Sequence, residues 1–352
     1  MLMEKYYTRA CNFYYKTKSK KKIRNHLPLN GDAKIYFKSV EIITRNSKRT
    51  INLSDINKLP LNLRKKVKND LSKITGIKKF KGIKFNANPV LMGIINITPD
   101  SFSDGGKYIN IKSAKDQIKH LISSGAKIID IGAESTRPGS KEVSEIVEWK
   151  RLNNILKIIK KEKIQFSLDT RKSKIMQKSL KYGVKIINDI SGFEYDKNTI
   201  NFLKNSKIPF VIHHIQGTPQ TMQVKPNYKN VLLDIYDYFE KKIKFLRSVG
   251  IKHNNIILDP GIGFGKNMKH NITLINKISI FHSLGFPILL GLSRKRFIRD
   301  IAKENDSKER IGGTVASSIF SMLQGVQILR VHDVNEINQA IKVYKKLNLF
   351  DE

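Results

Sequence analysis

From Val90 to the C-terminus the chain repeats one unit eight times: a short apolar run, then a segment with helical spacing. The apolar runs are LMGIINI (91–97), KIID (127–130), IQFSLD (164–169), VKIIND (184–189), PFVIH (209–213), NIILD (255–259), PILLG (287–291) and VQILRV (326–331). Runs this rich in Ile, Val and Leu suit strands buried on both faces, as in a parallel sheet covered by helices. The segments between them, such as AKDQIKHLISS and VLLDIYDYFEKKIKFLRSV, carry apolar residues three and four apart. Gly125, Gly183, Gly250, Gly285 and Gly325 stand just before a strand, where a helix can close through a left-handed residue. Eight such alternations predict an α/β fold, a (β/α)8 TIM barrel over 86–352. A doubly wound open sheet is the alternative, but no G-x-G-x-x-G follows the first strand.

Residues 1–85 read differently, as a basic, partly disordered extension with a small α+β unit. The first 28 residues look poorly ordered, with a lysine run at Lys20 to Lys22. Two β-like runs follow, AKIYFKSVEII and RTINLSDI, and then a helix after Pro60 with Leu63, Val67 and Leu71 at a spacing of four. No catalytic pattern is visible in this part.

The chain's net charge of +36 raises nucleic-acid binding as a possibility. The basic residues are spread along a Lys-, Ile- and Asn-rich chain, and no zinc-finger, RRM or KH signature accompanies them. The expectation is therefore no nucleic-acid partner, although such a charge favours small anionic substrates. The single cysteine, Cys11, excludes a disulfide framework and a cysteine-based zinc site, and suits a free thiol in a reducing cytoplasm. No apolar stretch is long enough to span a bilayer. The basic N-terminus lacks the apolar core of a secretory signal, which leaves an organelle transit peptide open beside the cytoplasmic reading.

In a (β/α)8 barrel the chemistry sits at the C-terminal ends of the strands. Polar residues gather there in register: Asn96, Asp130, Asp169, Asn188 with Asp189, His213 with His214, Asp259, Ser293-Arg294-Lys295, and Arg330 with His332. A charge at the end of an apolar strand loses solvation and needs a partner or a ligand. One such residue is easily structural; eight strand ends so furnished point to a site.

The motifs NITPDSFSDGG, DIGAESTRPGS, SLDTRK, IINDISG, HIQGTPQTMQ, ILDPGIGFGKN, LLGLSRK and ILRVHDV occur in this order. With them the chain from about Val90 onward resembles the dihydropteroate synthase family of pterin-binding TIM barrels. The resemblance implies joining 4-aminobenzoate to (7,8-dihydropterin-6-yl)methyl diphosphate, giving dihydropteroate and pyrophosphate with Mg2+ assistance. It also implies a pterin pocket of Asp169, Asn188, Asp259 and Lys295, with Asn96 as the protein ligand of Mg2+. Thr136 would contact the diphosphate and Pro138 the aromatic amine. The loops carrying Asp100, Asp104 and Arg137 would close over the substrates, and Asp100 or Asp104 would support the methylene charge or take the amine proton. The residues suit this chemistry. A carboxylate accepts two parallel N–H groups. Arg330 and His332 alternate on an extended strand and would clamp an anion together. Phe264 sits in a Gly-rich loop that lets an aromatic face a ligand, and Ser293 precedes a helix where a carboxylate can be received. By likeness to related barrels, a homodimer through the last helices is expected.

Two features depart from the pattern. Ile215 stands where the family often has Met, and Arg171 in SLDTRK has no evident role. The rivals are a methyltetrahydrofolate:corrinoid methyltransferase, which would not need the STRPG, SRK and RVHDV motifs, and an inactive pterin-holding paralogue.

Overall fold

The computed structural model describes residues 4–15, 25–31, 34–83, 85, 89–98, 111–137 and 139–347. The chain begins with an antiparallel sheet of β1 (Tyr7–Tyr15), β2 (Leu27–Pro28), β3 (Ile35–Ile43) and β4 (Lys48–Asn52), followed by helix α1 (Leu61–Thr75). The helix presents the predicted stripe, and Leu63, Val67, Leu71 and Ile74 pack with Ala10, Phe37 and Val40 of the sheet. Strand β1 was not legible in the sequence and corrects the poorly ordered reading of that stretch. It pairs along β3 from Tyr7↔Ile43 to Tyr15↔Ile35. Its polar side chains find distant partners: the Thr8 hydroxyl donates to Asp70 at 2.7 Å, and Arg9 donates to Glu41 at 2.7 Å.

The barrel follows as β5 (Val90–Asn96), β6 (Ile128–Gly132), β7 (Phe166–Asp169), β8 (Ile186–Asp189), β9 (Phe210–His213), β10 (Ile256–Asp259), β11 (Leu289–Gly291) and β12 (Ile328–Val331). All neighbours are parallel, in the order β10-β9-β8-β7-β6-β5-β12-β11. The first and last barrel strands pair in register, Val331↔Gly93, and a single bridge, Leu258↔Ile288, joins β10 to β11. Eight parallel strands thus form the nearly closed barrel that the sequence rhythm predicts.

Strand alternation sorts the side chains. Ile95, Ile131, Leu168, Ile187, Ile212, Leu258 and Leu329 face the surrounding helices. Met92, Ile128, Ile186, Val211, Ile257, Leu289 and Ile328 fill the lower interior together with Phe80. Phe80 precedes the barrel and, with Ile83 and Phe85, closes its base. On β6, β8, β9, β10 and β12 the next inward position, one layer higher at the mouth, is polar: Asp130, Asn188, His213, Asp259 and Arg330.

The N-terminal unit braces the barrel from outside. Tyr7 and Ile43 join the barrel's main core, and Tyr7 meets Tyr236 edge-on at 5.1 Å. Arg45 pairs with Asp234 and Asp237 at 2.7 and 2.6 Å, and Ser279 donates to the Ala10 carbonyl at 2.9 Å.

Lys78 lies buried at this junction, donating to the carbonyls of Lys73 and His282. Burial pushes its ammonium down to about 7, helped by the Lys73 charge. Between that value and the usual lysine range the unfolded chain binds the extra proton, so stability should rise with pH across this window. Lys78→Met removes the group. Thermal melts should show wild type gaining on the variant from pH 7 to pH 10, each kcal/mol moving Tm by roughly 2–4 °C. Parallel pH curves would contradict this.

Candidate active site

The mouth is built by inward positions at the strand tops. Asp130 stands in the middle of β6, Asp169 ends β7, Asn188 lies near the end of β8, and Asp259 ends β10. All four are buried. Arg330 of β12 reaches between them: its Nε donates to Asp130 at 2.6 Å and its Nη2 to Asp169 at 2.8 Å. Asn188 donates to Asp130 at 3.3 Å. Among the described residues Asn188 Oδ1 and Asp130 Oδ1 are buried without a hydrogen-bond partner. A buried acceptor left unmatched costs about 1–3 kcal/mol and calls for donors from a ligand.

Electrostatics sharpen the picture. Burial pushes the Asp169 carboxyl up to about 8, against the pull of Arg330 and with the Asp130 charge adding to the rise. Asp259 is also raised by burial, with Lys295 opposing, and its Oδ1 accepts the Gly261 N–H at 2.8 Å. Burial brings the Lys295 ammonium down to about 8, against the pull of Asp259. Lys295 donates to the Ile262 carbonyl and lies 4.7 Å from the centre of the Phe264 ring. Phe264 meets His213 edge-on at 4.6 Å.

The loop around Phe264 depends on Gly261. Its φ is +68°, and a Cβ there would stand 1.9 Å from the His214 carbonyl oxygen. Only glycine permits both that conformation and that approach.

Ser293 and His332, after β11 and β12, meet at the neighbouring part of the rim, with Oγ and Nδ1 3.1 Å apart. Burial and the nearby Arg330 and Arg294 push His332 down to about 3. It is therefore a neutral ring that offers hydrogen bonding and no charge, and the cation at this rim is Arg330. Arg294 turns outward in a left-handed conformation, φ +59°, and pairs with Asp333. That turn leaves its neighbours Ser293 and Lys295 facing the mouth.

Asn96 ends β5 half-buried, Thr136 is half-buried and Arg137 is exposed. Asp100, Asp104 and Pro138 lie outside the described residues. Among those described, the structure brings Asp169, Asn188, Asp259, Lys295, Phe264, Ser293, Arg330 and His332 to one mouth. Asp130 belongs with them; its place at a strand end was visible in the sequence, but its pairing with Arg330, 200 positions away, was not. Lys266 was also missed. It is fully buried behind the mouth, held by His214 Nδ1 at 3.0 Å and the Phe264 carbonyl at 2.8 Å. Among the described residues no three His, Cys, Asp or Glu side chains form a metal-holding group, and no helix is long and apolar enough to cross a membrane.

Eight parallel strands with buried polar side chains gathered at their C-terminal ends define an enzyme-like (β/α)8 barrel with its site at the mouth. The Pterin binding enzyme family matches residues 92–332, and the chain belongs to that family. Relatives it resembles include dihydropteroate synthases. That of Synechocystis is 40% identical over 254 residues, covering 72% of this chain and 88% of the relative. That of Escherichia coli K12 is 38% identical over 258 residues, covering 73% and 91%. The structure of the Yersinia pestis dihydropteroate synthase with a sulfonamide drug complex superposes with a TM-score of 0.71 at 36% identity, covering 77% of this chain and 98% of that one. A Xanthomonas albilineans dihydropteroate synthase in complex with 7,8-dihydropteroate gives a TM-score of 0.66 at 29% identity, covering 74% and 94%. The activity is accordingly that of the dihydropteroate synthases, transferases of folate biosynthesis acting on small molecules.

Proposed function

We propose that this mouth joins 4-aminobenzoate to the methylene carbon of (7,8-dihydropterin-6-yl)methyl diphosphate by substitution. The carbon–oxygen bond to the diphosphate breaks, a carbon–nitrogen bond forms, and the amine gives up one proton. The observation that carries the reading is the set of buried polar groups at the mouth, with the orphaned oxygens of Asn188 and Asp130 among them.

In this reading Asp169 accepts two parallel N–H groups from the guanidine-like edge of the pterin, as a carboxylate does from arginine. Asn188 and Asp259 match the remaining donors and acceptors, and Lys295 donates to a ring nitrogen or the ring carbonyl. Phe264 packs on the ring. Arg330 supplies fixed positive charge to the diphosphate, and neutral His332 supplies an N–H beside it. Fixed charge aimed at a leaving pyrophosphate stabilises a loose transition state without reorganisation. Ser293 receives the aminobenzoate carboxylate, Thr136 touches the diphosphate, and Pro138 packs on the aromatic amine. Arg137 lies over the site, and Asp100 or Asp104 supports the methylene charge or takes the amine proton. No covalent enzyme intermediate is required.

A magnesium ion fits the donors present. Mg2+ bound with a phosphate substrate takes most of its oxygens from substrate and water, so the single amide oxygen of Asn96 suffices on the protein side. When bound there it would neutralise charge on the departing pyrophosphate. The test is pyrophosphate release on mixing protein, both substrates and Mg2+, with dihydropteroate as the co-product.

Asp169 must be ionised to accept two N–H groups, yet burial raises its pKa to about 8. Pterin affinity should therefore rise from pH 6 to pH 8, with a proton released on binding near neutrality. Calorimetry in buffers of different ionisation enthalpy would detect that proton; its absence would count against Asp169 as the acceptor.

We further propose a cytoplasmic homodimer. Helix Ile311–Leu323 has no charged residue, in a chain where charged residues make up 27%. It exposes Phe320, and the adjoining helices Met268–Asn276 and Arg296–Ala302 expose Met268, Ile272 and Ile301. A second copy would cover this face. Phe320→Glu should halve the sedimenting mass; a wild-type monomer would overturn the proposal.

A further inference from the structure

Arg171 lies on the loop after β7, in a position for which the motif gives no role. Its guanidinium grips Glu134 twice, Nη2 to Oε1 at 2.9 Å and Nε to Oε2 at 3.2 Å. Both side chains are buried, at 7% and 5% exposure. Its guanidinium carbon lies over the Tyr195 ring, 4.3 Å from the ring centre, and Tyr195 belongs to the loop after β8. The Tyr195 hydroxyl donates in turn to Glu142. Arg171 thus joins three consecutive strand-end loops, and Glu134 and Glu142 both belong to the first of them.

That first loop carries Thr136 and Arg137. It is pinched at its neck, because Glu134 Oε1 also accepts the Val143 N–H at 3.2 Å. Its tip leans on the loop after β9: the Gly139 N–H donates to the Pro219 carbonyl at 3.0 Å, and Gln220 donates to the Ser140 carbonyl at 3.1 Å. Thr136 and Arg137 stand between these two fixings. Lys172 is not a substitute clamp. It divides its ammonium between Glu134 at 3.2 Å and Glu148 at 2.8 Å, and a lysine cannot make the paired, planar contact that Arg171 makes.

We propose that Arg171 is a positioning residue, setting the neck of the Thr136–Arg137 loop so that it meets the aromatic amine and, through Thr136, the diphosphate. This rests on the reading of the mouth given above. The pterin ring itself is unaffected because its pocket is lined by strand ends, which Arg171 does not touch. Misplacing a binding group by about 1 Å costs up to about a hundredfold.

The test uses the full chain with Arg171→Lys, which keeps the charge and the fold, and with Tyr195→Leu and Tyr195→Phe. Arg171→Lys and Tyr195→Leu should raise KM for 4-aminobenzoate about tenfold or more and KM for the pterin diphosphate with it, leaving the affinity for a pterin that lacks the diphosphate within about twofold. Tyr195→Phe keeps the stacked ring and should stay near wild type. A second readout is independent of turnover: trypsin cleavage after Lys141, within the same loop, should quicken in Arg171→Lys and Tyr195→Leu. Unchanged cleavage overturns the positioning role whatever the kinetics. Quicker cleavage with both KM values unchanged, or with affinity for the pterin lacking the diphosphate also lost, overturns its role in receiving the substrates through this loop. Wild-type protein without turnover, but with the cleavage difference intact, overturns the proposed reaction and leaves Arg171's hold on the loop standing.

Discussion

Asp169→Asn is expected to fold normally and to lose kcat/KM by about 10³-fold or more, roughly 4 kcal/mol of transition-state stabilisation. The substitution keeps shape and removes the one feature the proposed pterin contact needs, a charged acceptor for two N–H groups. The fold should tolerate it. Arg330 retains Asp130 at 2.6 Å, and the mouth loses a carboxylate that burial disfavours. Circular dichroism and Tm should match wild type while turnover disappears. A fully active Asp169→Asn enzyme would remove Asp169 from the pterin pocket.

The second large effect concerns stability. A chain cut to residues 86–352 should be recovered mainly as aggregate, or melt at least about 10 °C lower; the shift reflects several kcal/mol. The cut removes Phe80 from the base of the barrel, and Tyr7 and Ile43 from its main core. It also strips the cationic partners from Asp234 and Asp237. Fully burying one large apolar side chain contributes about 1.5–3 kcal/mol, and the cut exposes a whole face. The relatives match this chain over about three-quarters of its length but over most of their own, and the family match runs over 92–332, so the N-terminal unit lies outside the matched barrel. Any folded remnant should therefore keep its specific activity. A soluble 86–352 fragment with unchanged Tm would show that the bracing contributes nothing.

The barrel was legible because its information is local and periodic. Apolar runs, helical spacing and closing glycines recur in one order, and a fold buried on both faces of its sheet requires them. The strand ends were legible for the same reason: the alternation that buries Ile128 aims Asp130 into the mouth two residues later. What could not be read was set by distant partners. Strand β1 is stabilised where Thr8 meets Asp70 and Arg9 meets Glu41, pairs that no local pattern announces. Arg171 finds Glu134 37 positions upstream. Lys266 reads as a surface lysine until the fold closes over it. The neutrality of His332 also follows from distant neighbours, since burial beside Arg330 and Arg294 lowers its pKa.

The most direct measurement mixes wild-type protein with (7,8-dihydropterin-6-yl)methyl diphosphate, 4-aminobenzoate and Mg2+, and follows pyrophosphate and dihydropteroate together. Equal amounts of both products, formed only when all three additions are present, is the result expected here. Pyrophosphate without dihydropteroate, or neither product from a folded protein that still binds pterin, would contradict it.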